Sequence, residues 1–225
     1  MPIVDPPRIR ATHRRGQYTL SDGCPWFTPE AIWDLSKWLN MDMRVLEFGA
    51  GGSTVFYAER CREVVTFETD PGYFKEVQAR LRQGGICNVR LLGAEGMDDL
   101  LAEIAKFEPN SFDVVSIDSA PRVTVRRDLC IHTAPLVKVD GALVLDNYNQ
   151  HGPPELHGFT AVDYPNPHWY GKGTRIYIHG AGCNQHILRG APSWKHELSR
   201  ISPRRRGLRR WRLRARRRRS GIGGR

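Results

Sequence analysis

Glu47, Gly49, Gly51, Gly52, Ser53 and Thr54 fall within eight residues, directly after the apolar run Arg44-Val-Leu. Glycines in such a turn let the backbone approach a ligand closely. The flanking carboxylate and hydroxyls supply hydrogen bonds. A second acid, Glu68, closes the apolar run Val64-Val-Thr-Phe. A strand, a glycine turn and a carboxylate at the tip of the next strand describe the nucleoside-binding half of a doubly wound α/β sheet. Glu68 then stands where a ribose diol would donate to it.

The order of the glycines selects among nucleosides. A dinucleotide site follows G-x-G-x-x-G, its third glycine allowing close helix packing and its helix N-terminus facing a pyrophosphate. Here Thr54 takes the third slot, which disfavours a nicotinamide-dependent oxidoreductase. Glu47, two residues before the first glycine, would repel a diphosphate but could accept hydrogen bonds from a cationic amino acid. S-adenosylmethionine joins adenosine to such a group.

On these residues the chain resembles the class I S-adenosylmethionine-dependent methyltransferases, over roughly residues 25 to 180. Their acid-x-G-x-G motif is similar to Glu47-Phe-Gly49-Ala-Gly51, and their ribose-holding acid to Glu68 in Phe67-Glu-Thr-Asp-Pro71. Bacterial-type methyltransferase-like sequences also carry a W-x-T-P-E-A helix start and a loop ending in G-S-T, similar to Trp26-Phe-Thr-Pro-Glu-Ala31 and Gly52-Ser-Thr54. The resemblance implies S-adenosyl-L-methionine as cofactor. It implies a Rossmann-like, doubly wound, mostly parallel seven-stranded α/β sheet with an antiparallel last strand. It further implies cofactor contacts at Glu47, Gly49, Gly51, Gly52, Ser53, Thr54, Glu68, Glu95 and Asp118.

Asp118, Asp146 and Asn147 match in part the oxygen ligands of a divalent cation in catechol-type O-methyltransferases. Pro121 replaces the lysine base those enzymes carry, so no metal is expected. Asp118 is then expected to meet the cofactor's amino acid end. Methyl transfer asks mainly for alignment of the acceptor and exclusion of water, with a base only for a hydroxyl or ammonium acceptor. Arg122, Asp146 and His151 are the candidates for catalysis, and Asn147, Tyr148 and Trp169 for acceptor binding. A non-catalytic cofactor-binding scaffold with a nucleic-acid-binding tail is the alternative from another class.

Strands and helices alternate around these residues. Thr28-Pro-Glu starts a helix, its hydroxyl the expected cap, ending near Asn40. Strands follow at 44–48, 64–68, 88–92, 112–118 and 141–146. Helices are expected from Ser53 to about Cys61, from Asp70 to the Gly84-Gly85 stop, from Met97 to Phe107 and from Val125 to Val137. Two short alternating runs, 158–164 and 174–179, complete the sheet. Parallel pairing with helical crossovers follows from this rhythm.

The chain of 225 residues divides into an N-terminal extension (1–24), the domain (25–182), a linker (183–202) and a tail (203–225). Its formal charge of +10 belongs to the tail, where residues 204–225 hold twelve arginines and no acid, leaving the remainder near −2. Five scattered cysteines without a C-x-x-C pair indicate neither a disulfide framework nor a zinc site. No segment has the length of a signal peptide core or membrane span. A cytoplasmic protein is expected. The tail is too charged to fold alone, and its arginines with Trp211 suit RNA or DNA phosphates and bases. Deleting 203–225 should leave a folded, cofactor-competent domain and abolish nucleic-acid binding; a gel-shift series in rising salt checks this, binding by the full chain weakening steeply.

Overall fold

The computed structural model describes residues 20–119, 123–165 and 173–180, all within the first of two compact units, residues 1–190. Arg122, Trp169 and the 203–225 tail lie outside the described residues, as does the His151 side chain. In chain order the elements are α1 (Pro29–Trp38), β1 (Arg44–Phe48), α2 (Gly52–Ala58), β2 (Glu63–Glu68), α3 (Pro71–Gln83) and β3 (Val89–Gly93). Then follow α4 (Met97–Ile104), β4 (Phe112–Ile117), α5 (Val123–Thr133), β5 (Val137–Asp146), α6 (Tyr148–His151), β6 (Phe159–Tyr164) and β7 (Thr174–His179).

One seven-stranded sheet has the order β3-β2-β1-β4-β5-β7-β6. Strands β1 to β5 pair in parallel, and β7 runs antiparallel to both β5 and β6. The strand order reverses between β1 and β4, which places the crevice of a doubly wound sheet at their carboxyl ends. Central strands are buried on both faces, so their sequences are apolar without interruption. Val45, Val64, Val114 and Val144 face α1 and α2, where Phe27, Ile32, Leu35 and Phe56 pack. Leu46, Val65, Val115 and Leu143 face the other layer, with Leu100 and Ile104 of α4 and Leu129 of α5.

Several local features differ from the sequence expectation. The helix expected through Val137 stops at Thr133, a 3-10 turn takes over at Ala134–Leu136, and β5 begins at Val137. Pro135 interrupts the helical ladder, and the N–H groups of Asn110 and Ser111 capture the carbonyls of Pro135 and Leu136 at 3.0 Å each. Strand β5 consequently carries a bulge, with Asp140 at φ 63°. A short helix, α6, stands in the polar segment after Asp146. Thr28 does not cap α1 with its hydroxyl; its backbone N–H instead donates to Thr174 Oγ1 at 2.9 Å. Asp70 caps α3 as its type suggests, Oδ1 accepting from the Tyr73 N–H at 2.7 Å.

Asp34 of α1 is buried under β6, where its Oδ2 accepts the Tyr164 hydroxyl at 2.8 Å. Burial outweighs that hydrogen bond and pushes the carboxyl from its usual 3.8 up to about 6. Between those values the folded protein holds a proton that the unfolded chain has released, so stability falls as pH rises. Asp34→Asn keeps the acceptor for Tyr164 and removes the titration. Denaturant unfolding should show the two proteins equally stable near pH 4 and the variant ahead at pH 7.5, by at most about 3 kcal/mol.

Candidate functional site

The glycine turn leaves β1 where β1 and β4 part. Gly49 has φ +95° and donates to the Phe67 carbonyl at 2.9 Å, while Asp118 N–H donates to the Phe48 carbonyl at 2.9 Å. A Cβ on Gly49 would stand 2.6 Å from the Asp118 carbonyl oxygen, so only glycine lets the two strand ends cross there. Gly52 is restricted for another reason: its Cβ would stand 2.4 Å from the Cys24 carbonyl oxygen, in the segment that precedes α1. Gly51 is extended, and its Cβ would meet the end of one side chain, Tyr73 Oη at 3.1 Å.

Glu47 lies beneath this turn with no exposed surface. Gly51 N–H donates to Thr54 Oγ1 at 2.8 Å, and the Thr54 and Thr66 hydroxyls donate to Glu47 Oε2 at 2.5 and 2.7 Å. Glu47 Oε1 has no partner of hydrogen-bond geometry among the described residues. Burial pushes the carboxyl up to about 7, opposed by the hydroxyls of Ser53, Thr54 and Thr66 and assisted by the charge of Asp118. Thr54, in the place of the third glycine, is therefore the residue that ties the turn to the acid below it.

Glu68 ends β2 at the rim. Its Oε1 accepts the N–H groups of Thr69 and Asp70 at 2.8 Å each, which fixes the carboxylate beside the turn. Between the two strand ends lies a narrow crevice lined by Phe48, Gly49, Phe67, Thr69, Leu100 and Ser119. The rings of Phe48 and Phe67 stack at 5.4 Å in its wall. Glu95 is exposed beyond β3, its N–H held by Asp99 Oδ2 at 2.9 Å.

Across the crevice, one guanidinium joins the ends of β4 and β5. Arg126 is buried on α5. It pairs with Asp118 Oδ1 at 3.0 Å, donates to the carbonyls of Ser119 and Asp146 at 2.7 and 2.9 Å, and lies 4.0 Å from Asp146 Oδ2. Asp146 also accepts the Thr174 hydroxyl at 3.1 Å, and burial together with the Asp118 charge holds its carboxyl well above the ordinary range. Asn147 turns the chain in the left-handed region at φ 55°, and Tyr148 N–H donates to the Gly173 carbonyl at 3.1 Å. The Tyr148 ring faces β7, under the Arg175 guanidinium at 4.8 Å.

The fold thus brings Glu47, the glycines, Glu68, Asp118, Asp146 and Asn147 to one edge, with Ser53 and Thr54 inside the turn. Glu95 follows β3 at the same edge, where the N–H of its neighbour Ala94 donates to the Glu68 carbonyl at 3.2 Å. Arg126, Thr66, Thr174 and Tyr73 were not among the residues singled out from sequence. Arg126 shares a helix face with Leu129 and Cys130, both buried, and an arginine on such a face signals a buried partner.

No protein-family model matches the sequence, and no curated protein resembles it in sequence. Solved structures resemble its fold. A "putative O-methyltransferase" from Klebsiella pneumoniae is 17% identical, covering 80% of this chain and 91% of that one, with TM-score 0.55. A "putative caffeoyl-CoA O-methyltransferase" from Staphylococcus aureus is 16% identical over 79% of this chain and 100% of its own, with TM-score 0.53. An rRNA methylase from Streptococcus thermophilus is 15% identical over 67% and 94%, with TM-score 0.50. The chain has the fold of the class I S-adenosylmethionine-dependent methyltransferases.

The three glycines should separate under substitution. Gly49→Ala and Gly52→Ala force a Cβ into backbone and should each lose about 2 kcal/mol or more of stability. Gly51→Ala meets only the movable end of Tyr73 and should melt like the wild type. Thermal unfolding of the three variants checks the order.

Proposed function

We propose that the protein is an S-adenosylmethionine-dependent methyltransferase, its acceptor approaching the edge formed by β4 and β5. The observation that carries this is the pairing of the Gly49 turn with a carboxylate, Glu68, fixed across the cleft from it. That pair suits an adenosine ribose at a topological switch point. A dinucleotide fits less well. The Gly51 N–H that would face a pyrophosphate is engaged by Thr54, and acids lie below and beside the turn.

In this reading Glu68 accepts from the ribose hydroxyls, the turn from Gly49 to Gly52 cradles the backbone side of the ligand, and Asp118 faces its ammonium. The cofactor supplies a methyl group already activated by a positive sulfur. What remains for the chain is to align an acceptor and exclude water. Asn147 and Tyr148 border the acceptor side, and Arg126 holds the strand ends beneath it at fixed separation. Burial and the charge of Asp118 favour the protonated form of Asp146, in which the carboxyl donates a hydrogen bond as well as accepting one. Among the described residues no helix is long and apolar enough to cross a membrane. The arginine-rich run from 204 to 219 favours an acceptor bearing phosphates.

Calorimetry should show binding of S-adenosylhomocysteine and none of NAD at micromolar concentration. Glu68→Ala should remove roughly 1.5 to 3 kcal/mol, a charge-assisted hydrogen bond. Micromolar NAD binding without response to S-adenosylhomocysteine would sink the proposal.

A further inference from the structure

Tyr73 is a large aromatic residue at the start of α3 that the packing of that helix does not consume. The buried stripe of α3 is Val77 and Leu81, whereas Tyr73 is 36% exposed. Its backbone is nonetheless anchored, because its own N–H is the one that Asp70 Oδ1 caps at 2.7 Å. From there the ring reaches back over the glycine turn. A Cβ built on Gly51 would lie 3.1 Å from the phenol oxygen and 3.9 Å from Cε1 and Cζ. The phenol therefore fills the space that a side chain at position 51 would take, on the ligand side of the turn. Among the described residues its hydroxyl has no hydrogen-bond partner.

We infer that Tyr73 is a cofactor-binding residue, lent to the side-chain-free turn by the neighbouring helix, its phenol O–H donating to an acceptor oxygen of the bound nucleoside. The inference rests on the proposed S-adenosylmethionine site and adds to it the only contact supplied from α3. The charges around Tyr73 favour the donor role. Glu68, Glu76, Glu47 and Asp118 all act on it, and together with partial burial they keep the phenol protonated above its usual range. In a site otherwise lined by acids, a phenol is a donor that approaches ligand oxygens without adding charge. Two groups of the cofactor have such oxygens, the ribose and the amino acid carboxylate.

The test uses the full-length chain, with Tyr73→Phe and Tyr73→Ala, and calorimetry with two probes: S-adenosylhomocysteine and 5′-methylthioadenosine, which keeps the ribose and lacks the amino acid. Tyr73→Phe retains the ring and should melt like the wild type while binding S-adenosylhomocysteine about five- to tenfold more weakly, the loss of one hydrogen bond. An equal loss for 5′-methylthioadenosine places the contact at the ribose; a loss confined to S-adenosylhomocysteine places it at the carboxylate. Either outcome supports the inference. Wild-type affinity in Tyr73→Phe, or tighter binding by Tyr73→Ala, overturns it and makes the ring a plug that the ligand displaces, with the parent proposal intact. A wild-type protein that binds neither probe overturns both.

Discussion

A carboxylate with no access to water holds the glycine turn in place. Glu47 takes two hydroxyl hydrogen bonds on one oxygen, from Thr54 at the start of α2 and Thr66 on β2, and Thr54 passes the constraint on to the Gly51 N–H. Burying an acid is unfavourable unless its hydrogen bonds are met. The arrangement meets those of Oε2 only if β1, β2 and α2 keep their mutual positions. The turn therefore inherits the rigidity of the sheet, adding to it only the packing of Ala50 against Val55, Val77 and Leu81. The same burial removes Glu47 from direct contact with solvent, whereas Glu68 and Asp118 are only partly buried.

A comparable logic governs the far side of the crevice. Asp118 and Asp146 end adjacent strands, and their like charges would push the strand tips apart. Arg126 prevents this from α5, and it does so with backbone as well as side-chain partners, donating to the carbonyls of Ser119 and Asp146. A planar guanidinium can serve several acceptors at fixed angles, which a lysine cannot. The edge thus holds four buried or half-buried acids, Glu47, Glu68, Asp118 and Asp146, and the fixed cation of Arg126. Its net charge depends on whether Glu47 and Asp146 are protonated, and both are shifted upward by burial.

Much of this was legible in the amino-acid order, and the reason is the sheet. A central parallel strand must be apolar on both faces, so runs such as Val114-Val-Ser-Ile could be placed, and with them the acids at their ends. The types at Glu47, Gly49 and Glu68 were likewise readable from local spacing. What could not be read is any partnership across the fold. Thr66 meets Glu47 because β1 and β2 pair in one register, nineteen residues apart in the chain. Arg126 meets Asp146 at a separation of twenty. Tyr73 stands four residues before Val77 and eight before Leu81, on the flank of the same helix face, so periodicity alone reads it as a packing residue; its position over Gly51 depends on how α3 crosses the turn. The boundary at Val137 was missed because a proline-containing turn, not the helix, delivers the chain to β5.

The segment before α1 shows how the two halves of the edge come to share a support. Gly23, at φ +57°, and Cys24 lie against α2, the Cys24 carbonyl filling the space that Gly52 leaves vacant. Four residues on, Thr28 N–H donates to the Thr174 hydroxyl, which in turn donates to Asp146 Oδ1. One short stretch of backbone is thus anchored to the glycine turn at one end and to the acid of β5 at the other. Gly52 is required by this crossing whatever the turn binds, a packing demand that a glycine motif does not reveal.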